Sequence, residues 1–441
     1  MKKRLFALSV CLLFLFVSCG KTKDKQPDEN AELTLSLYCT ADNLMVDQYI
    51  LAFEDKYKNV TVEKKVFDDT SQFDETLANE LNGGKGPDVV LFTANTSLDV
   101  MQMAKNGAFA SLNSYLDDSE DPLKPENYIA SSLDAGKIGE EQYLLPLSVA
   151  VPFLWYNTGG DPAFENQPVL PFETFQSVFY SETEKYQNET DQAAFYCGSI
   201  VPFLYTSGVF TFSEDREKLN YDEAQLKGFL DFLKDVQTDY RQKGEKLVRQ
   251  YGTSFIDILN HFQYTYSAFG NFVYMAHGLN AANQTIHNSE IGISALTEYG
   301  SDTLSAYLGA YGAVNKNAGE KTAYACDFLR MSMDYTPKSP KECAQAELSV
   351  NKYSIYEQIT MLKGNLPDAS YEGIQIHNVG LSDKLAQDLT NITDSIQYVE
   401  IPNPKIRGLF TECFTSYLEG KGDYEACLTD FEQRVNLYLT E

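Results

Sequence analysis

The run Pro87-Asp88-Val89-Val90-Leu91-Phe92-Thr93 follows the glycine turn Gly83–Gly84 and is apolar at four successive positions. A strand that is apolar on both faces must be covered on both faces, which is the position of a central strand in a sheet flanked by helices. The segments before it fit that architecture. Leu33 to Tyr38 alternates apolar and polar residues as a strand does. A helix follows, with apolar spacing at Met45, Tyr49, Ala52, Phe53 and Tyr57 and with Asp42 placed to cap it. Asn59 to Phe67 then returns as a second strand, and Gln72 to Leu81 forms a helix stopped by the two glycines. Strands alternating with helices at this spacing predict an α/β domain with a mostly parallel sheet. In such sheets ligands gather beyond the carboxyl ends of the strands. That rule selects Thr40 to Asp42 after the first strand and Thr93 to Thr96 after the third.

The N-terminus reads as an export leader. Lys2, Lys3 and Arg4 precede an apolar run from Leu5 to Val17, which is too short to span about 30 Å of hydrocarbon, and Ser18-Cys19-Gly20 follows. The ending resembles the lipobox of bacterial lipoproteins, with Phe16 where leucine is usual. That resemblance implies cleavage after residue 18, lipidation at Cys19 and residence on the extracytoplasmic face of the cell membrane. Residues 19–30 are charged and lack a buriable face, so they read as a tether.

About 420 residues remain, too many for one core, and two domains are expected. The formal charge of −28 becomes −31 once the three basic residues of the leader are removed. Phosphate binding requires clustered Lys and Arg, so nucleic acid is excluded as a partner. Six cysteines remain beyond Cys11 and Cys19, none at a metal-ligand spacing; if any pair is bridged, Cys413 and Cys427, on either side of a glycine turn, are the pair to test. No nucleophile elbow, zinc motif, phosphate loop or dinucleotide fingerprint occurs, no cofactor or metal is expected, and the four histidines have no ligand spacing. The acidic run Asp117 to Pro122 departs from a calcium-loop pattern and reads as a solvated loop. What the chain does have is aromatics, 29 Tyr and 27 Phe, concentrated at Val201–Phe212 and Phe262–Met275. Aromatic rings supply stacking area for sugars and other small polar solutes, although most rings in a chain this size are core.

Several stretches in order, Ala52–Tyr57 with Asn59–Glu63, Gly86–Phe92, Asn106–Leu116, Tyr143–Gly159, Asn315–Met333 and Tyr417–Glu441, resemble the family 1 extracellular solute-binding proteins of bacterial ABC transporters, the sugar-type relatives of the maltose-binding protein. The resemblance covers nearly the whole chain beyond the leader. It implies a two-lobed periplasmic-binding-protein-like (type II) fold, each lobe a mostly parallel sheet flanked by helices, with the ligand cleft at the hinge. Residues 31–150 and about 306–340 would form one lobe, and 151–305 with about 341–441 the other. Tyr143 to Gly159 would cross the hinge. The implied function is capture of a small polar solute, a carbohydrate, by a monomeric receptor that delivers it to membrane permease subunits and catalyses nothing. The alternatives are a surface-anchored carbohydrate-active enzyme and a receptor that senses or adheres without transport.

Carried over by position, the family's cleft residues are Thr40, Asp42, Thr93, Asn95, Ala150, Phe203, Tyr205, Asn280, Tyr311 and Phe410, with His277 and Ala310 beside them. Trp155, the only tryptophan, joins them on its place in the hinge strand. Phe203 and Tyr205 would share one side of an extended segment. Two departures stand out: the family's tryptophan after the glycine matched by Gly278 is replaced by Leu279 and Asn280, and none stands near Phe410.

Overall fold

A computed structural model describes residues 27, 28, 30, 32–116, 123–160, 162–163, 167–197, 203–204, 206–213, 218–268, 270–364, 368–371, 374–377 and 379–440. The leader, Cys19, nearly all of the tether, the acidic run at 117–122 and Tyr205 lie outside the described residues.

The strands that build the two sheets are β1 (Leu33–Thr40), β2 (Val60–Phe67), β3 (Val89–Thr93), β4 (Leu144–Ala150), β5 (Pro152–Asn157), β6 (Val169–Leu170), β7 (Ala193–Tyr196), β8 (Phe262–Ala268), β9 (Ile291–Leu296), β10 (Leu304–Val314), β11 (Leu348–Ser349) and β12 (Ile396–Glu400). The helices that frame them are α1 (Val46–Lys56), α2 (Thr70–Asn82), α3 (Val100–Lys105), α4 (Phe172–Lys185), α5 (Glu223–Asp239), α6 (Phe272–His287), α7 (Thr322–Met333), α8 (Lys352–Leu362), α9 (Asp383–Ser395), α10 (Pro404–Leu418) and α11 (Tyr424–Thr440).

The first sheet runs β11–β4–β10–β3–β1–β2, with β12 also pairing β10, and the second runs β6–β9–β5–β8–β7. The burial of each strand follows its rank. Every residue of β3, β4 and β10 is buried, whereas β2 at the edge exposes most of its side chains. The expected parallel character holds for β1 with β2 and with β3. It fails at the centre, because β10 runs antiparallel to both β3 and β4, and β5 runs antiparallel to both neighbours in the second sheet. Both sheets are therefore mixed. The cause is the crossings: β4 leaves the first sheet at Ala150 and enters the second at Pro152, and β10 comes back from β9 in the second sheet. A strand that returns across a hinge arrives head-to-tail with the one that left.

The segment from residue 341 onward does not stay on one side. Leu348 and Ser349 pair with β4, and Leu304 to Tyr307 of β10 pair with β12, so β11 and β12 both extend the first sheet rather than the second. Between them α9 packs on β9, while the final helices α10 and α11 pack on each other and α10 on α5. The amphipathic pattern expected of the last helix is realised at Tyr424, Cys427, Leu428, Phe431 and Val435, all buried.

The six cysteines among the described residues are all buried. Cys413 lies against Asp430 and Cys427 against Ser416, so the pair singled out as a possible bridge is not joined.

Candidate functional site

At the carboxyl ends of β1 and β3 the Asp42 carboxylate gathers three side-chain donors. Thr40 donates to Oδ1, Thr93 Oγ1 donates to Oδ2 over 3.2 Å, and Asn95 Nδ2 donates to Oδ2 over 2.8 Å. Thr40, Asp42, Thr93 and Asn95 are thus brought together as the strand-end rule predicts. The role of Asp42 is different from the expected one. Helix α1 starts at Val46 with Met45 before it and no side-chain cap. Asp42 spends its oxygens across two strands instead, because the four residues Ala41 to Leu44 form a turn that leaves the carboxylate over the sheet end.

The loop carrying Asn95 is held from beneath by a second carboxylate. Asp74, buried on α2, accepts from Thr96 Oγ1 at 2.6 Å and from the backbone and hydroxyl of Ser97 at 2.8 and 2.5 Å. Three donors on one buried carboxylate offset its desolvation and fix the loop after β3.

The other side of the pocket comes from the hinge strands. Leu308 faces Val149 and Ala310 faces Ser148, so Gly309 is an extra residue, a bulge between β10 and β4. Bulges bend a strand and redirect side chains, and they recur beside functional sites. Here Ser148 Oγ accepts from the Ala310 N–H at 2.8 Å and donates to Glu347 Oε2. Glu347 precedes β11 and lies where both sheets meet: the Leu348 N–H donates to the Gly270 carbonyl at 2.8 Å. A Cβ on Gly270 would stand 2.7 Å from Glu347 Oε1, and one on Gly309 would stand 2.9 Å from Oε2. A side chain at either position would push the carboxyl from where it lies.

Asp42, Glu347, Ser148, Thr93 and Ala310 line one pocket. Burial pushes the Glu347 carboxyl above the ordinary glutamate value; the Ser148 hydrogen bond opposes that shift and the nearby Asp42 charge adds to it. The linkage has a definite sign. A carboxyl raised on folding contributes stability that is complete below about pH 4.5 and lost as pH rises through the raised value. Glu347→Gln has no proton to lose. The gap in unfolding midpoint between this variant and the wild type, without ligand, should widen in the variant's favour from about pH 4.5 to about pH 8. A gap constant across that range, measured by thermal denaturation, would show an unperturbed carboxyl.

The remaining described residues expected at the cleft lie elsewhere. Ala150 ends β4 and is buried at the hinge. Trp155 is 3% exposed in β5, opposite Thr265 and Ile293, and belongs to a hydrophobic core; its Nε1 has no hydrogen-bond partner among the described residues. Phe203 lies in a helical turn rather than an extended segment, its ring stacked on Tyr266 at 4.0 Å and near Phe175 at 6.0 Å. Asn280 and His277 are buried on α6, and Asn280 Oδ1 accepts the Ile291 N–H. Tyr311 stacks on Phe92 between strands, and Phe410 packs on Phe414 and Phe431. These rings were drawn to the core because their area is worth more buried than displayed. Glu347, Ser148 and Gly309 were not anticipated. The one sequence signal for Glu347 is a lone acid at the start of the apolar run Leu348 to Val350.

Residues 41–159 match the family model described as bacterial extracellular solute-binding protein. No curated protein matches the chain in sequence. Solved structures share its fold over most of its length. The sugar-binding protein MalE from Xanthomonas citri has 13% identity over 92% of this chain and 97% of its own, with a TM-score of 0.69. An ABC substrate-binding protein from Listeria monocytogenes in complex with cycloalternan has 14% identity over 93% and 100%, with a TM-score of 0.60. The cyclic α-maltosyl-1,6-maltose binding protein from Arthrobacter globiformis has 16% identity over 93% and 99%, also with a TM-score of 0.60. Residues 41–159 thus carry the sequence pattern of the bacterial extracellular solute-binding proteins, and the chain as a whole carries their two-lobed α/β fold.

Proposed function

We propose that the protein is an extracytoplasmic receptor that captures a carbohydrate between its two lobes and presents it to the permease of an ABC importer. The observation that carries this reading is the position of the pocket. Asp42 and Glu347 face it from the end of the first sheet and from the start of β11, the strand that pairs with β4, so a solute held there lies against the strands that cross the hinge. Closure is then a population shift, driven by contacts available only with both lobes engaged. Carboxylates and hydroxyls are the groups that bind sugar hydroxyls, and structural relatives were solved with cycloalternan and with mannotriose. Lipidation at Cys19 would hold the receptor at the membrane surface, where an acidic body is repelled from anionic lipid. Mass spectrometry of the exported protein tests this: a diacylated cysteine is expected as the first residue, and an unmodified residue other than cysteine overturns the anchor.

Thermal denaturation with a panel of oligosaccharides tests capture. A ligand at a hundredfold excess over its Kd adds about 2.7 kcal/mol of stability, a rise of several degrees in Tm. No rise with any carbohydrate would overturn the sugar reading.

The Asp42 and Glu347 pair favours one other reading, a surface glycosidase working with two carboxylates. Such a pair needs a glycosidic bond between its members, and the whole pocket that both residues line offers about 30 Å³, enough for one or two waters. The protein is expected to release no sugar from aryl glycosides; turnover abolished by Asp42→Asn would reverse this.

A further inference from the structure

The small volume of this pocket, and what lines it, narrow the kind of solute it accepts. The part that water-sized groups can enter is about 30 Å³, room for one small substituent. Two carboxylates, Asp42 and Glu347, face that space, and none of its described lining residues is Lys, Arg or His. Two further lining residues carry amide nitrogens without partners among the described residues: Asn43 Nδ2, on a residue 8% exposed, and Gln358 Nε2, on a residue 2% exposed. A buried donor left unpaired carries a desolvation cost, and buried polar groups in folded proteins are nearly always paired. These two therefore mark where an acceptor belongs when the site is filled.

The needed partner must give a hydrogen to a carboxylate and offer lone pairs to an amide. A hydroxyl does both. At a pH above the raised Glu347 value, a carboxylate or phosphate satisfies the amides and meets two negative charges with no cationic side chain among the described lining residues to neutralise it; an ammonium satisfies the acids and leaves the amides unpaired. Ser148 strengthens the choice, since its own hydroxyl proton goes to Glu347 and its lone pair takes the Ala310 N–H, so it has no proton to offer an anion.

We propose that the pocket between Asp42, Glu347, Asn43 and Gln358 is a subsite for one uncharged hydroxyl-bearing substituent of the solute, and that Glu347 is the residue that rejects acidic solutes. This rests on the carbohydrate reading and adds to it a selection rule: neutral sugars with a projecting hydroxymethyl group bind, and their uronic acid counterparts do not. Discrimination of this kind combines an attractive match for one ligand with a repulsive element against the other. A site built to pair a substrate hydroxyl also rejects the analogue lacking it, because the protein groups are left unpaired.

The test uses isothermal titration and thermal denaturation of the whole chain with maltose, cellobiose and mannobiose, their 6-deoxy analogues and their uronic acids. Among the sugars that bind, the neutral parent is expected to bind at least tenfold tighter than its 6-deoxy analogue and at least a hundredfold tighter than its uronic acid. Glu347→Gln should shrink the uronic acid penalty, read as the ratio of acidic to neutral affinity in the same variant, about tenfold. Gln358→Leu should weaken the neutral parent about tenfold and leave the 6-deoxy analogue unchanged, a difference that general loss of structure would not produce. Equal binding of neutral and acidic forms, a preference for amino sugars, or a uronic acid penalty untouched by Glu347→Gln overturns the subsite and leaves the carbohydrate reading standing. Failure of every sugar, neutral ones included, overturns both.

Discussion

Phe203→Ala is expected to lower the unfolding free energy by about 3–5 kcal/mol and to leave the ligand affinity of the folded fraction within about twofold. The ring is 2% exposed and sits at 4.0 Å from Tyr266 in a nearly parallel stack, with Phe175 on one side and Phe172 and Phe232 at its edges. Those neighbours come from three other elements, β8, α4 and α5. A cavity left among so many rigid rings cannot close by a local adjustment, so the lost contacts are not recovered. Urea denaturation without ligand gives the stability change, and titration of the folded protein gives the affinity. A stability loss under about 1 kcal/mol with a tenfold weaker ligand would place the ring at the cleft wall, as the family position of this segment suggested.

For Asp42→Ala the expected outcome is the reverse. Affinity should fall by at least a hundredfold, about 2.7 kcal/mol, while the unliganded protein loses only about 1 kcal/mol. Asp42 and Asn95 are exposed, so the amide that donates to the carboxylate in the empty site can turn to water when the carboxylate is removed. A solute that displaces that water has no such exchange available: its hydroxyls lose a charged acceptor, and charge-assisted hydrogen bonds are roughly twice as strong as neutral ones. Asp42→Asn keeps the shape and one acceptor oxygen and is expected to fall between, at about tenfold. Calorimetric titration of both variants with the sugar that stabilises the wild type decides the matter. An affinity within twofold of wild type in Asp42→Ala would remove Asp42 from the site.

The parts of this molecule that could be read from sequence are those whose physics is local. Apolar Val89 to Phe92 announced a strand covered on both faces, and every residue of that strand is buried. The helix after it in space, Thr70–Asn82, ends where Gly83 and Gly84 end it, with Asp69 accepting from Ser71 and Gln72 at its start. The meeting of Asp42, Thr93 and Asn95 follows from the same logic, since the carboxyl ends of neighbouring parallel strands converge wherever such strands pair.

The aromatic candidates went the other way. Trp155, Phe203, Tyr311 and Phe410 were selected by position in the family, and a ring of that size at such a position serves a core as readily as a cleft. Which use prevails depends on what stands opposite, and for Phe203 that is Tyr266, 63 positions along the chain. No pattern in a short window records a partner at that distance.

The two-lobed arrangement came from the family resemblance; the sequence by itself determined the α/β class, the alternation of strands and helices in the first lobe, and the strand-end position of Asp42 with its threonine and asparagine partners. Hydrophobic periodicity, turn residues and strand pairing between chain neighbours are enough for these. Only the tertiary structure decided the mixed order of the sheets and the second half of the pocket. Ser148 and Glu347 are 199 residues apart, and they meet because β11 pairs with β4, setting Leu348 opposite Val149, while glycines at 270 and 309 leave the carboxyl room. Register between distant strands is settled by the packing of whole faces, a property of the assembled core and not of any stretch of chain.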